Sequence, residues 1–232
     1  MKVFFLTAGL FLSFGILAQV HQPAGKLYAN TAPGGIINEV FQLEITNKNH
    51  YYLNKDFQNG SIFLKSGLSL INHSIRYDYM TDQIEVLFND EVRSLKGQFL
   101  DYYEFKDSLT GYFKIYLHAS RLVQDELGFY ELLYDDHIAL VRKDQLNSRK
   151  PSYVPALDVG DRAVQYFIES KYFIVMNDQL IPIQRKKKSR INAFGEYFEA
   201  IENFIKSNKL DVESDQGLIR IVRYYNELDT SQ

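Results

Sequence analysis

The chain has 232 residues, with 26 Lys and Arg against 29 Asp and Glu, a formal charge of −3, 46% hydrophobic residues and no cysteine. That balance excludes a bulk binder of nucleic acid, which selects an extended basic surface, and the apolar content excludes disorder throughout. The absence of cysteine excludes disulfides, thiolate metal centres and a lipid-modified cysteine, so the fold rests on core packing.

The first residues, "MKVFFLTAGLFLSFGILAQV", set one lysine after Met1 and then an uncharged, mostly apolar run from Val3 to Ala18. This is the pattern of a signal peptide over residues 1–18. The run is shorter than the roughly 20 residues of a membrane span, and Ala18 is small enough to precede a cleavage site. Cleavage there leaves an exported chain of 25 basic and 29 acidic residues, with no transmembrane span, bound for the periplasm or the cell exterior.

Residues 19–50 hold "HQPAGKLYANTAPGGIINEV", with two prolines, three glycines and no sustained period. They predict a poorly structured lead-in with one short strand at "EVFQLEIT". From 51 to 184 the pattern has period two. Ile71, His73, Ile75, Tyr77 and Tyr79 alternate, as do Ile84, Val86 and Phe88, then Phe113, Ile115 and Leu117, then Ile138 and Leu140. Gly60, Gly67, Asp82, Asn89 and Asp90 punctuate the runs, and strand-favouring Tyr and Phe number 17 each. Eight to ten short antiparallel strands follow, as a sandwich or a partly open barrel.

Over 185–232 the spacing becomes three and four. Phe194, Tyr197, Phe198, Ile201, Phe204 and Ile205 form one apolar stripe, and Leu218, Ile221, Val222, Tyr225 and Leu228 another. Two to three helices are predicted, packed on an open sheet face because neither stripe can bury itself. Ser189 suits the cap of a lead-in turn, Gly195 a break, Asn208 the end of the first long helix and Ser214 the cap of the last.

"SIFLKSG", "IRYDYMTDQIEVLF", "FYELLYDDHIALVRK", "YFIVMNDQLIPIQRKKKSRINAF" and "IENFIKSNKLDVESDQGLIRIVRYYNEL" follow one another along the chain. Together they resemble a family of exported Bacteroidetes-type proteins with a β-rich domain, a lysine run and a helical C-terminal segment. The lysine run, "KSNKL" and a final helix ending in "YYNEL" are its most specific part. The resemblance implies export and architecture, and carries no catalytic residues.

The chemistry-bearing residues are scattered. His21, His50, His73, His118 and His137 lack the i, i+3 or i, i+4 spacing that sets two imidazoles on one metal. No GxSxG elbow and no GxGxxG or GxxxxGK phosphate cradle occurs, so neither a serine nucleophile nor a cofactor is expected. The carboxylate pairs Asp78 and Asp82, Asp101 and Glu104, Asp125 and Glu126, and Asp135 and Asp136 suit hairpin turns, or a glycosidase if two of them face each other across a sugar. The motifs "YDYM", "DYYEF", "KYF" and "RYYNEL" offer rings either for the core or for a binding face.

Five of the six positions from 185 to 190 are basic: Arg185, Lys186, Lys187, Lys188 and Arg190. This run reads as a solvated linker into the helices or as a patch for an anionic partner, which Arg220 and Arg223 would extend. The resulting expectation is a non-enzymatic envelope protein that binds or scaffolds another envelope component. The alternative is a carbohydrate-binding or carbohydrate-processing protein that uses surface tyrosines and an acidic pair.

Overall fold

The computed structural model describes residues 42–43, 51–108, 110–123, 127–153, 156–177, 179–184 and 193–229. Residues 1–41 and the basic run from Arg185 to Arg190 lie outside the described residues. Eleven strands form one antiparallel sheet. They are β1 (Gln42–Leu43), β2 (Gln58–Leu64), β3 (Ser69–Asp78), β4 (Gln83–Phe88), β5 (Glu91–Lys96), β6 (Leu100–Lys106), β7 (Phe113–His118), β8 (Phe129–Tyr134), β9 (Ala139–Arg149), β10 (Gln165–Met176) and β11 (Gln179–Ile183). Their order across the sheet is β1-β5-β4-β3-β2-β6-β7-β8-β9-β10-β11, so the sheet is not closed. Among the described residues, the longer helices that follow are α1 (Phe198–Ser207) and α2 (Asp215–Asp229). The mainly antiparallel β architecture with a helical C-terminal segment is the one expected.

Turn chemistry sets several registers. Phe88 pairs with Glu91, so the β4–β5 loop is only Asn89 and Asp90, and both have positive φ, at 50° and 63°. Two left-handed residues give the type I′ turn whose twist matches a hairpin. The short strand expected at "EVFQLEIT" is β1, where Gln42 and Leu43 pair with Ser94 and Arg93 of β5.

The alternation expected in β3 breaks at Ile71. Gly60 pairs with His73 but Ile62 with Leu70, so two steps on β2 meet three on β3. The extra residue is accommodated at Asn72, with φ of 60°, a conformation that asparagine tolerates better than most residues. The bulge inverts the phase: Ile71 is exposed, while Leu70, Ile75 and Tyr77 face the core. In β7 the alternation holds, but Phe113 is exposed and the buried side chains are Tyr116 and His118 on the opposite face.

The sheet curls. Tyr77 on β3 stands edge-on to Phe129 on β8 with ring centroids 5.2 Å apart. In a flat sheet these strands, four steps apart, would be about 19 Å from each other. The concave face of this half of the sheet closes on Ile62, Ile75, Ile84, Val86, Tyr103 and Tyr116, a first core rich in stacked rings. Further along, Leu140 and Ile174 pair across β9 and β10, and with Ile138 they receive Phe194, Ile201, Leu218, Ile221 and Tyr225, forming a second core beneath the helices.

The helix ends follow the expected chemistry. Asn208 caps α1, with its side chain donating to the Phe204 carbonyl at 3.0 Å, and Ser214 Oγ accepts from the Gly217 N–H at 3.1 Å to start α2. Asn226 fastens α2 to the sheet: its side-chain oxygen accepts from Ile138 N at 2.8 Å and its amide donates to Ile138 O at 2.9 Å. Gly217 permits the tight approach of the α1–α2 loop, because a Cβ there would lie 1.8 Å from the Asp211 carbonyl oxygen. Replacing a mid-helix glycine by alanine ordinarily gains about 0.5–1 kcal/mol. Gly217→Ala is expected to lose about 1–3 kcal/mol through overpacking, read from the denaturant midpoint. An unchanged or raised midpoint would show that the loop does not press on α2.

Candidate functional site

A polar seam runs between the two cores. Tyr116, Glu131, Arg142 and Tyr172 occupy matching register positions on β7 to β10 and so share one face. Arg142 sits among three carboxylates. It donates to Glu131, donates at 2.7 Å to Asp215 in the first turn of α2, and sets Nε 3.2 Å from Asp144. Each carboxylate has a hydroxyl partner as well: Tyr116 donates to Glu131 at 3.1 Å, Ser170 to Asp144 at 2.6 Å, and Tyr172 to Asp215 at 2.8 Å.

Burial raises the Glu131 pKa above the ordinary carboxylate value, and Arg142, whose charge is divided among three acids, offsets this only in part. Burial alone would lower the Arg142 pKa, yet its acidic neighbours hold it above its usual value. The Tyr172 hydroxyl is pushed up to about 12 by burial and by Asp215. The Tyr79 hydroxyl, raised by burial, reaches Asp144 from beyond the end of β3. Each carboxylate of the network is thus held by Arg142 and by a hydroxyl of its own. The network fastens sheet, helix and the β3–β4 turn together, and it offers no pair of carboxylates held apart for a substrate.

Of the carboxylates singled out in the sequence, Asp78, Asp82 and Asp136 serve turns, whereas Asp101 and Glu104 lie within β6 rather than at a hairpin tip. Asp78 is fully buried and accepts from the N–H groups of Tyr51 and Met80 and from Thr81 Oγ1, at 2.8, 2.9 and 2.7 Å. Asp82 accepts from Tyr77, Asp136 accepts from Tyr134 and the His137 N–H, and Asp101 pairs with Arg121. Asp125 and Glu126 lie outside the described residues, as do His21 and His50.

His118 is buried and caps the short turn Ala119–Arg121, its Nδ1 accepting from Ser120 N at 3.1 Å. Burial, followed by Lys65 at 3.3 Å, lowers its pKa and favours the neutral ring. His137 pairs with Asp229 at 3.2 Å. Among the described residues no three metal-ligating side chains come together. Arg220 is exposed, and Arg223 lies over the Tyr134 ring.

The aromatic motifs mostly fill the interior. Tyr77, Tyr103, Phe105 and Tyr225 are buried, Tyr102 stacks on Phe63 and Tyr224 on Phe204, both at 4.1 Å. The exposed rings lie elsewhere: Phe99 just before β6, Tyr112 and Phe113 just before and at the start of β7, and Tyr166 and Phe167 on the β9–β10 hairpin. β9 and β10 run for 11 and 12 residues, whereas the flanking β8 and β11 have 6 and 5. β8 covers β9 only as far as Lys143, and β11 covers β10 only from Tyr172 onward. The remainder of the hairpin is a two-stranded ribbon that carries exposed Val164, Tyr166 and Phe167, with the Tyr166 ring tilted against Tyr51 at 6.4 Å.

The tip of this ribbon is ordered by its own bonds. Asp158 accepts from Tyr153 and from Arg162, each at 2.7 Å, Arg162 lies over the Tyr153 ring, and Ser152 N and Tyr153 N both donate to the Asp161 carbonyl. Gly160, at φ of 95°, passes so close to Ser152 that a Cβ would lie 2.5 Å from its carbonyl oxygen. Hydrogen bonds from Tyr153 and Arg162 hold the Asp158 carboxyl below its usual value. What this loop presents is Leu157, 69% exposed, and Val159, 53% exposed.

No known protein family, curated protein or solved structure matches the chain. The class it defines by its own geometry is an open antiparallel sheet with a C-terminal helix pair and a projecting hairpin. Among the described residues no helix is long and apolar enough to cross a membrane.

Arg142→Met would leave Glu131 and Asp144 without their cation, an expected loss of about 3–5 kcal/mol in chemical unfolding. Because the folded-state pKa of Glu131 is raised, the folded form binds more protons than the unfolded form between the ordinary carboxylate value and the raised one, and its contribution falls as pH rises through that window. Glu131→Gln should flatten this decline. Parallel stability–pH curves for wild type and Glu131→Gln would show that the carboxyl is not perturbed.

Proposed function

We propose that the protein is exported and serves in the cell envelope as a non-enzymatic binding or scaffolding component, docking a partner envelope protein on the tip of the β9–β10 hairpin. The observation that carries this reading is the tip itself, where the Tyr153–Asp158–Arg162 bonds join the described residues beside Leu157 and Val159, both in water. Binding residues are disproportionately carried on loops positioned by a rigid scaffold. Arg185, Lys186, Lys187, Lys188 and Arg190 follow β11 and supply a second, anion-seeking contact, with clustered lysines adding about 1 kcal/mol each beside anionic headgroups. The likeness to exported Bacteroidetes-type proteins agrees with this placement.

The test is affinity capture of the tagged protein from crosslinked, gently solubilised envelopes, with Leu157→Ser/Val159→Ser and a variant neutralised from Arg185 to Arg190 alongside. A protein enriched by wild type and lost with the tip variant is the expected result. The tip variant should unfold within about 0.5 kcal/mol of wild type, since both side chains are exposed. Equal enrichment by wild type and tip variant would remove the tip as the docking surface, and loss only with the neutralised variant would transfer docking to the basic run.

A further inference from the structure

The ladder between β10 and β11 ends at the Tyr172–Ile183 pair, and Gln184 has already left it. The seven residues Gln165–Lys171 therefore present their outward backbone N–H and C=O groups on an edge that no described strand covers. Such an edge templates the addition of another strand, and proteins usually blunt it with proline, a bulge or a row of lysines. This one has no proline, runs in uninterrupted register against β9, and carries Tyr166, Phe167 and Ile168 at its centre. A bare two-stranded ribbon is also only marginally stable in water.

We infer that this edge pairs with the same edge of a second copy of the chain, antiparallel about a twofold axis at Phe167, so that two sheets become continuous through the ribbons. Phe167 then stands opposite the partner's Phe167, Tyr166 opposite the partner's Ile168, Gln165 opposite the partner's Glu169 and Val164 opposite the partner's Ser170. The apolar groups meet on both faces. Glu169 is the only charge between Val164 and Ser170, and it falls opposite an amide that can donate to it. A strand paired with itself must be compatible with its own reverse, the condition for an isologous interface, and this segment meets it.

Neighbouring registers fit less well. Centring on Glu169 sets two carboxylates face to face, which is unfavourable for cross-strand neighbours. Centring on Ser170 drives the incoming strand onto Tyr172, whose edge β11 already occupies. Centring on Ile168 leaves Val164 uncovered and sets Glu169 against a phenyl ring. The axis at Phe167 keeps Leu157 and Val159 clear, so the dimer presents two tips and does not depend on what they bind.

The test uses sedimentation velocity of the purified mature chain and single cysteines placed in a sequence that otherwise has none. Wild type should shift from monomer to twice the monomer mass as concentration rises, and Phe167→Glu should raise the dissociation constant at least tenfold while leaving the circular dichroism, and the unfolding midpoint at concentrations where wild type is monomeric, unchanged. Directly opposed strand residues have Cα atoms about 4.5–5.5 Å apart, within disulfide reach. Phe167→Cys should therefore oxidise to a covalent dimer, and Lys171→Cys should not. Three outcomes overturn the inference: a chain that stays monomeric, a dimer indifferent to Phe167→Glu, or one that crosslinks through Lys171→Cys as fast as through Phe167→Cys. Leu157→Ser/Val159→Ser should dimerise like wild type, which separates failure of the tip as a docking site from failure of this interface.

Discussion

The Arg142 guanidinium is the constraint from which the arrangement of the body follows. Its three acidic partners come from β8, from β9 and from the first turn of α2, and the hydroxyls that complete the network come from β3's end, β7 and β10. An apolar core has no orientation preference of its own, because burial is non-directional. The seam supplies that direction: α2 sits on the sheet only where Asp215 reaches Arg142 and Tyr172, and the β3–β4 turn curls over only as far as Tyr79 reaches Asp144. Replacing such a network with apolar side chains is often neutral for stability, so its role here is to fix how two cores on one sheet face are placed relative to each other. Asn226 has the same role at the other end of α2, where it bonds both backbone groups of Ile138.

The sequence disclosed elements more readily than phase. Period-two runs located the strands of the β domain, and the three-and-four spacing located both helices with their caps at Asn208 and Ser214, because these signals are local. Ile71 was misplaced because one extra residue at Asn72 reverses every side chain beyond it, and a bulge leaves almost no mark in a hydrophobicity pattern. Tyr116 and His118 were missed as the buried face of β7 because Phe113, Ile115 and Leu117 are the more apolar set. Which face is inside depends on the curl that brings Tyr77 to Phe129, and curl is a property of the whole sheet.

The site was less legible than the fold, for a related reason. Glu131, Arg142, Asp144 and Asp215 are separated by up to 84 residues, with no spacing to single them out, and only strand order brings them together. Adjacent carboxylates such as Asp78 and Asp82 drew attention because they are neighbours in sequence, which is also why they cap a turn. The exposed hairpin had one readable signal, the unequal lengths of consecutive strands. Boundaries are the least certain feature of a pattern reading, so a strand that outruns its neighbours by five residues is easily read as a long core strand.

A hairpin that extends past the sheet takes no part in either core. Beyond Lys143 and Tyr172 neither strand contributes to the first or second hydrophobic cluster, so the ribbon adds little to the stability of the body. Its own coherence comes from the cross-strand ladder, from pairs such as Asn147 with Glu169, and from the pinned tip. That separation has a physical consequence. Apart from Asp144 and Ser170 at its base, which belong to the Arg142 network, substitutions along the ribbon alter what it meets without loosening Arg142 or the cores, whereas substitutions in the seam alter the body and carry the ribbon with it. Order at the far end of a thin ribbon is difficult to sustain through two strands alone, and the Tyr153–Asp158–Arg162 pin is placed where fraying would otherwise begin. The described residues around Leu157 and Val159 are therefore joined by bonds that the core does not require.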